Sequence, residues 1–158
     1  MFKKLLLILL ALFVVFLGAL FLKNPSVSRK DSFPQPTPFP TPETVTEDEM
    51  WNVVQKWRVS TNRKEYTKSE TLCRMASIRL EEIKTDWSHK GFKRVASTVA
   101  KSFYFVGENL AVNFIEESVV LQNWLDSPSH RRNLENRNFQ YSCIKTSGNF
   151  VVHIFGGY

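Results

Sequence analysis

The stretch Ser127-Pro128-Ser129-His130-Arg131-Arg132-Asn133-Leu134 (SPSHRRNL) decides how the chain is read. It follows directly on an apolar helical pattern, VVLQNWLD, and packs a proline, a histidine and two arginines into eight residues. Taken alone it is a polar turn: Ser127-Pro128 closes the preceding helix, and His130 is a histidine without an obvious task. The question is whether other parts of the chain supply partners for it.

Two other stretches do. One is WSHKGF, Trp87 to Phe92, with His89; the other is GENLAV, Gly107 to Val112, with Glu108. Each sets an ionisable residue at a break in the pattern beside large apolar anchors: Trp87 and Phe92, Leu110, and Trp124 and Leu134. Two imidazoles and a carboxylate are the donor set of an open zinc site that activates a bound water. The same trio could transfer protons without a metal. Spacing alone is a weak signal, because the three residues lie 19 and 22 positions apart and no short ligand pair such as HExxH occurs. Backbone-bonded turn residues are the competing explanation for each of them.

The order of the pieces adds information. SH, then GEN-x-A, then V-x-x-W-x-x-SP-x-HR-x-NL, then a terminal strand ending in FGG resembles the CAP superfamily. This is the SCP domain of cysteine-rich secretory proteins, antigen 5 and plant pathogenesis-related class 1 proteins. The small secreted bacterial members are most similar. The resemblance covers about Thr46 to Tyr158 and is strongest from Trp87 to Leu134; RVSTNRKEYTKSE fits it more loosely. It implies an α-β-α sandwich, an α+β fold with a small antiparallel sheet between helices. It also implies a cavity carrying two histidines, matched by His89 and His130, and often two acids, one matched by Glu108. Asn109, Trp124 and Arg131 fall in the same motifs as supporting residues. The second acid of many eukaryotic members falls where this chain has Ser127; Asp126 is adjacent but out of register, and Glu116 and Glu117 lie earlier on the same helix. Any metal affinity is therefore expected to be modest.

The element pattern agrees with such a fold. Thr46 and Glu49 make a capping box, and Met50, Val53, Val54 and Trp57 follow at helical spacing. Ser69 is placed to cap a second helix whose apolar positions are Leu72, Cys73, Met75, Ala76, Leu80 and Ile83. Thr85 to Phe92 reads as a break, and Val95 to Ala100 as a short helix. Phe103 to Val106 is apolar before Gly107-Glu108-Asn109 interrupts it. Glu116 to Leu125 reads as a third helix burying Val119, Val120 and Trp124, with acids in its first turn where the helix dipole favours them. Gln140 to Thr146 and Phe150 to Phe155, joined by Ser147-Gly148-Asn149, form a hairpin signal. His153 shares an alternating face with Val151 and Phe155, and is expected to be a hydrogen-bonded strand histidine and not a third ligand. Arg131 or Arg132 is expected to pair with Asp126 or Glu135.

The first part of the chain is different. Leu5 to Leu22 is an 18-residue uncharged run after Lys3 and Lys4, roughly 27 Å long as a helix and close to the bilayer hydrocarbon thickness. Gly18 and Ala19 lie inside the run, and the small-x-small triplet Ser26-Val27-Ser28 sits just after Pro25, a poor cleavage site. Residues 1–23 are therefore read as an uncleaved transmembrane signal anchor, with a cleaved signal peptide and a secreted product as the alternative. Lys23, Arg29 and Lys30 balance Lys3 and Lys4, so the positive-inside rule does not orient it. Six of the seven prolines lie between Pro25 and Pro42, and residues 24–45 read as a polyproline-type spacer before the domain at 46–158.

Five basic and two acidic residues precede Thr46, which leaves 16 basic and 13 acidic residues in the domain, a net of +3. This mixed surface carries no basic stripe or docking motif for nucleic acid. Cys73 and Cys143 are two cysteines on a segment expected to be extracytoplasmic, so a disulfide is favoured over two free thiols. It would close a loop of about 70 residues, contributing roughly 4 kcal/mol in the chain-entropy account.

The functional expectation is a membrane-anchored extracytoplasmic module that is not an enzyme. It would bind a small apolar ligand such as a lipid, a divalent cation (zinc or magnesium), or a cell-surface protein. Phe103, Tyr104, Phe105 and Phe114 either fill the core or add apolar surface near GEN. The alternative is a metal-assisted hydrolase using His89, Glu108 and His130. Ser88 and Ser129 precede the two histidines, but sequence neighbours on extended backbone point apart, so neither forms an obvious dyad.

Overall fold

Thr46 starts the first helix, α1 (Glu47–Ser60), and its Oγ1 accepts the Glu49 N–H at 3.3 Å. The reciprocal half of the capping box is altered. Glu49 Oε2 takes the Thr46 hydroxyl at 3.0 Å, and the Thr46 N–H instead donates to Glu117 Oε1 at 2.8 Å, tying α1 to a helix far along the chain. The computed structural model describes residues 44–158; the expected anchor and all but the end of the expected spacer lie outside them. No helix among the described residues is long and apolar enough to cross a membrane.

After α1 come β1 (Thr67–Lys68), α2 (Glu70–Ile83), α3 (Phe92–Val99), β2 (Phe105–Val112), α4 (Glu117–Asp126), α5 (Pro128–Glu135), β3 (Tyr141–Ser147) and β4 (Phe150–Gly157). The strands form one sheet in the order β1-β3-β4-β2. β4 is central and antiparallel to both β3 and β2, whereas the two-residue β1 pairs parallel with β3, so the sheet is mixed and not wholly antiparallel. Alternation along β4 splits its side chains between two cores. Val151 and Phe155 meet Met50, Val54, Val120, Leu121, Trp124 and Leu134 from α1, α4 and α5. Val152 and Ile154 meet Leu72, Met75, Ala76, Leu80, Ile83 and Val95 from α2 and α3. Helices therefore cover both faces of the sheet. Cys73 on α2 and Cys143 on β3 form a disulfide across the second core, pinning a helix to the sheet as expected.

Three local expectations change. Gly107-Glu108-Asn109 does not interrupt a strand: β2 runs straight through it, paired in register with Phe155, Ile154 and His153 of β4. A polar sequence is tolerated there because each buried polar side chain has partners, described below. Gly107 fits because a Cβ at that position would lie 2.9 Å from Phe139 Cζ, inside contact distance. Second, SPSHRRNL is not a turn. Ser127 ends α4 and also starts α5, with Pro128 in the first turn, where its fixed φ and missing N–H cost nothing. His130 is thus a helical residue. Third, α4 buries Val120, Leu121 and Trp124, while Val119 is exposed, and Ser69 begins α2 without a side-chain cap bond.

Candidate functional site

β2 is an edge strand, and its side chains bond to α2 on one face and to α5 on the other. Glu108 and Asn109 are consecutive on β2 and point to opposite faces. Glu108 faces α2, and Asn109 faces α5. His89 reaches the edge from the turn after α2, and His130 from α5; their ring centroids are 6.1 Å apart with a 51° tilt.

The centre of the cluster is a residue not anticipated from the sequence. Arg79 on α2 is buried with Glu108, and its Nε donates to Glu108 Oε1 at 2.6 Å while Nη2 reaches Oε2 at 3.3 Å. Both side chains are only 2% exposed. Arg79 Nη2 also donates to the Ser88 carbonyl at 2.7 Å, which holds the turn carrying His89, and Nη1 pairs with Glu82, which in turn pairs with Arg94. Glu108 Oε2 contacts His89 Nδ1 at 2.8 Å. Glu108 already accepts from Arg79, so Nδ1 is the donor, and Nε2 is the ring nitrogen turned away from the Glu108 contact. The His89 side chain is 55% exposed, so this nitrogen is available to a ligand.

On the other side, Asn109 Nδ2 donates to the His130 carbonyl at 3.1 Å. Asn133 Nδ2 donates to Asn109 Oδ1 at 2.9 Å and to the Glu108 carbonyl at 3.1 Å, locking α5 to β2. Trp124 acts from the core, its indole N–H donating to the Leu110 carbonyl at 3.0 Å. Burial first, and the neighbouring His89 second, push the His130 pKa below its usual value, so the ring is neutral at pH 7. Its Nδ1 is buried without a partner.

The expected donor set is only partly assembled. His89, Glu108 and His130 do come together, but Glu108 stands behind His89 with both oxygens engaged. No group of three His, Cys, Asp or Glu residues among the described residues is arranged to hold a metal. The available donors are two imidazoles, with Glu108 as the outer partner that orients one of them. None of the acids expected as a second carboxylate joins the two histidines. Asp126 accepts from Gln122, Glu117 from Thr46 and Glu116 from Ser118, and Ser127 Oγ lies 3.2 Å from Ser129 Oγ. Arg131 pairs with neither Asp126 nor Glu135; its Nε donates to the Leu125 carbonyl, and Glu135 meets Arg63 at 3.5 Å instead.

His153 also departs from expectation. It is fully buried and both ring nitrogens lack a hydrogen-bond partner. It packs against Phe155 (3.9 Å between centroids), Trp124 and Tyr66, so it serves as a flat core side chain. Burial, with Arg58 nearby, holds its pKa well below the usual histidine value. Of the four aromatics near GEN, Tyr104 and Phe105 are exposed while Phe103 and Phe114 pack partly buried against the cores.

Solved structures share this fold. An extracellular SCP-domain protein from Bacillus anthracis superimposes with a TM-score of 0.65 at 20% identity, covering 71% of this chain and 40% of its own. A cysteine-rich secretory protein from Staphylococcus aureus gives 0.65 at 16% identity, with 70% and 38% covered. The chain has the fold of an SCP domain. An outer surface protein from Borrelia burgdorferi matches at a TM-score of 0.60 and 23% identity, over 74% of this chain and 98% of that one. This chain thus spans about two fifths of the length of the first two proteins, 40% and 38%. No family model and no curated protein sequence matches it. The likeness is one of fold, and the site must be read from its own geometry.

Within this fold, Arg79 and Asn133 are the residues of the cluster that motif reading did not single out. Arg79 left a signal. It falls on the buried stripe of α2, at i+3 from Ala76 and i+4 from Met75, where a charged residue has to find a buried partner.

Proposed function

We propose that the chain is an extracytoplasmic CAP module, held at a membrane by residues 1–23, that binds a ligand through His89 and His130 and is not an enzyme. The observation that carries this reading is the ordered chain Arg79–Glu108–His89, which presents His89 Nε2 outward beside the neutral His130. Two imidazoles facing one space suit a borderline divalent cation of the zinc class. Magnesium, which prefers oxygen donors, fits poorly. His89 and His130 would hold such an ion, and Glu108 would raise the basicity of His89 from behind. With two protein donors the affinity is expected to be modest. The exposed aromatics Tyr104, Phe105 and Tyr158 suit the other expected ligands, a small apolar molecule such as a lipid or a cell-surface protein.

Titration calorimetry with zinc tests the reading. One ion per chain should bind to the wild type, and His89→Ala and His130→Ala should each weaken binding about tenfold or more at unchanged melting temperature. Equal binding by wild type and the double variant removes the pair from any role in zinc binding.

A hydrolase is the second reading, favoured by the Glu108–His89 contact, which has the polarity of a general-base pair. Ser88 Oγ is engaged with the Lys90 N–H and Ser129 Oγ with Ser127, so water would be the nucleophile. Hydrolysis of a peptide or phosphodiester that disappears in His89→Ala with the fold intact would favour this reading.

A further inference from the structure

The site at β2 does not account for the opposite edge of the sheet. There, beside β1 and the entry to β3, the surface encloses a cavity of about 500 Å³. That volume is in the range of small-molecule sites. Four cationic side chains line it, Arg58, Arg63, Lys64 and Arg137, against one acid, Glu65. Excess positive charge in a concave, partly desolvated site attracts anions more strongly than the same charge on open surface.

Two of the guanidinium groups are pre-placed. Arg58 is buried; its Nε donates to the Lys64 carbonyl at 2.6 Å and its Nη1 to the Leu134 carbonyl at 2.9 Å, bonds that do not use Nη2. Its guanidinium lies over the Tyr66 ring, 3.6 Å from the centroid, which fixes its plane. Arg63 donates from Nη1 to the Thr61 carbonyl at 3.2 Å and meets Glu135 from Nη2 at 3.5 Å, while its Nε is buried with no partner. Asn62, Thr67 and Gln140 add neutral polar groups to the wall, and Phe139 adds an apolar one. Burial lowers the Arg58 pKa below the usual arginine value, and the Arg63 charge adds to that effect while Tyr66 opposes it. A bound anion would offset the repulsion from Arg63 and favour the charged form of Arg58.

We propose that this cavity is a binding site for a phosphate ester, with Arg58, Arg63 and Arg137 gripping the phosphate and the remaining volume holding a small organic body. Phosphate suits the site better than carboxylate. It brings three acceptor oxygens and close to two negative charges at neutral pH, against four cationic side chains. The cavity is larger than inorganic phosphate needs, so an ester is the better fit. The site is independent of His89 and His130, which meet at the other edge strand.

The test is calorimetry and phosphorus NMR on the full chain in uncharged detergent, with glycerol 3-phosphate, inorganic phosphate and short-chain phosphatidic acid as probes. Glycerol 3-phosphate should bind saturably and more tightly than inorganic phosphate. Arg63→Gln and Arg137→Gln should each weaken it about tenfold, as expected for losing a charge-assisted contact, at unchanged melting temperature. Arg63→Lys should recover only part of the loss, because the planar fork is gone. The His89→Ala/His130→Ala double variant should bind as the wild type does. Tighter binding of the phosphatidic acid identifies a lipid headgroup as the source, and equal binding a soluble ester. Absence of saturable binding at about 10 mM, beyond the millimolar affinity scale, or equal binding by both glutamine variants overturns the proposal.

Discussion

Arg79 and Glu108, 29 positions apart in sequence, meet as a buried ion pair, Nε to Oε1 at 2.6 Å, joining helix α2 to the edge strand β2. The pair has two tasks. It satisfies two charges that burial would otherwise make costly, and it orients His89. Removing Glu108 leaves Arg79 with only the half-buried Glu82, and removing Arg79 leaves Glu108 with only His89; breaking a buried pair costs up to about 3–5 kcal/mol. Glu108→Gln and Arg79→Met should each lower the urea midpoint by that order. The double change Arg79→Met/Glu108→Gln should cost less than the sum of the single changes, a coupling that a double-mutant cycle measures directly.

Acid should destabilise the fold through its histidines. His130 and His153 both have folded-state pKa values below the usual 6.5, from burial first in each case. A lowered folded pKa means that the unfolded chain binds more protons as pH falls through 6.5 towards the folded value, so their stability contribution is full above that range and is lost below it. His153→Phe keeps a flat aromatic in the core and removes both unpartnered nitrogens. The drop in urea midpoint between about pH 7.5 and about pH 5 should be smaller in this variant than in the wild type.

Reducing the Cys73–Cys143 bond should cost roughly 4 kcal/mol, seen as a lower urea midpoint with dithiothreitol, because the bond closes a long loop in the unfolded chain. Cys73→Ser/Cys143→Ser should show the same loss and no further response to reductant.

Gly107→Ala should destabilise by about 1–3 kcal/mol through overpacking against Phe139, with a shift in urea midpoint as the readout. Asn133→Ala should act differently. It releases two hydrogen bonds between α5 and β2, and should weaken zinc binding through His130 more than it lowers stability.

Much of the molecule was legible because particular residues carry strong local signals. Thr46 and Glu49 marked the first helix, alternation around Ser147-Gly148-Asn149 marked the hairpin, and Cys73 and Cys143 paired as expected. His89, Glu108 and His130 came together although spacing alone could not require it; the order of three short motifs supplied that link. The misreadings share one physical cause, which is long-range satisfaction of polar groups. Gly107-Glu108-Asn109 has the composition of a turn, yet Arg79, Asn133 and the β4 backbone make it strand. Pro128 signals an end, and here that end is also the first turn of the next helix. Glu108 looked like a ligand, but Arg79, concealed in an apolar stripe, engages it first.

The central claim is that Glu108 fixes His89 with Nε2 free to meet a ligand alongside His130. Long-range nitrogen–proton NMR of the histidine rings, with and without zinc, tests it most directly. The expected result is His89 in the Nδ1–H tautomer, loss of that preference in Glu108→Gln, and zinc shifting the ring nitrogens of both His89 and His130. Finding His89 in the Nε2–H tautomer, with zinc moving neither ring, would contradict the account.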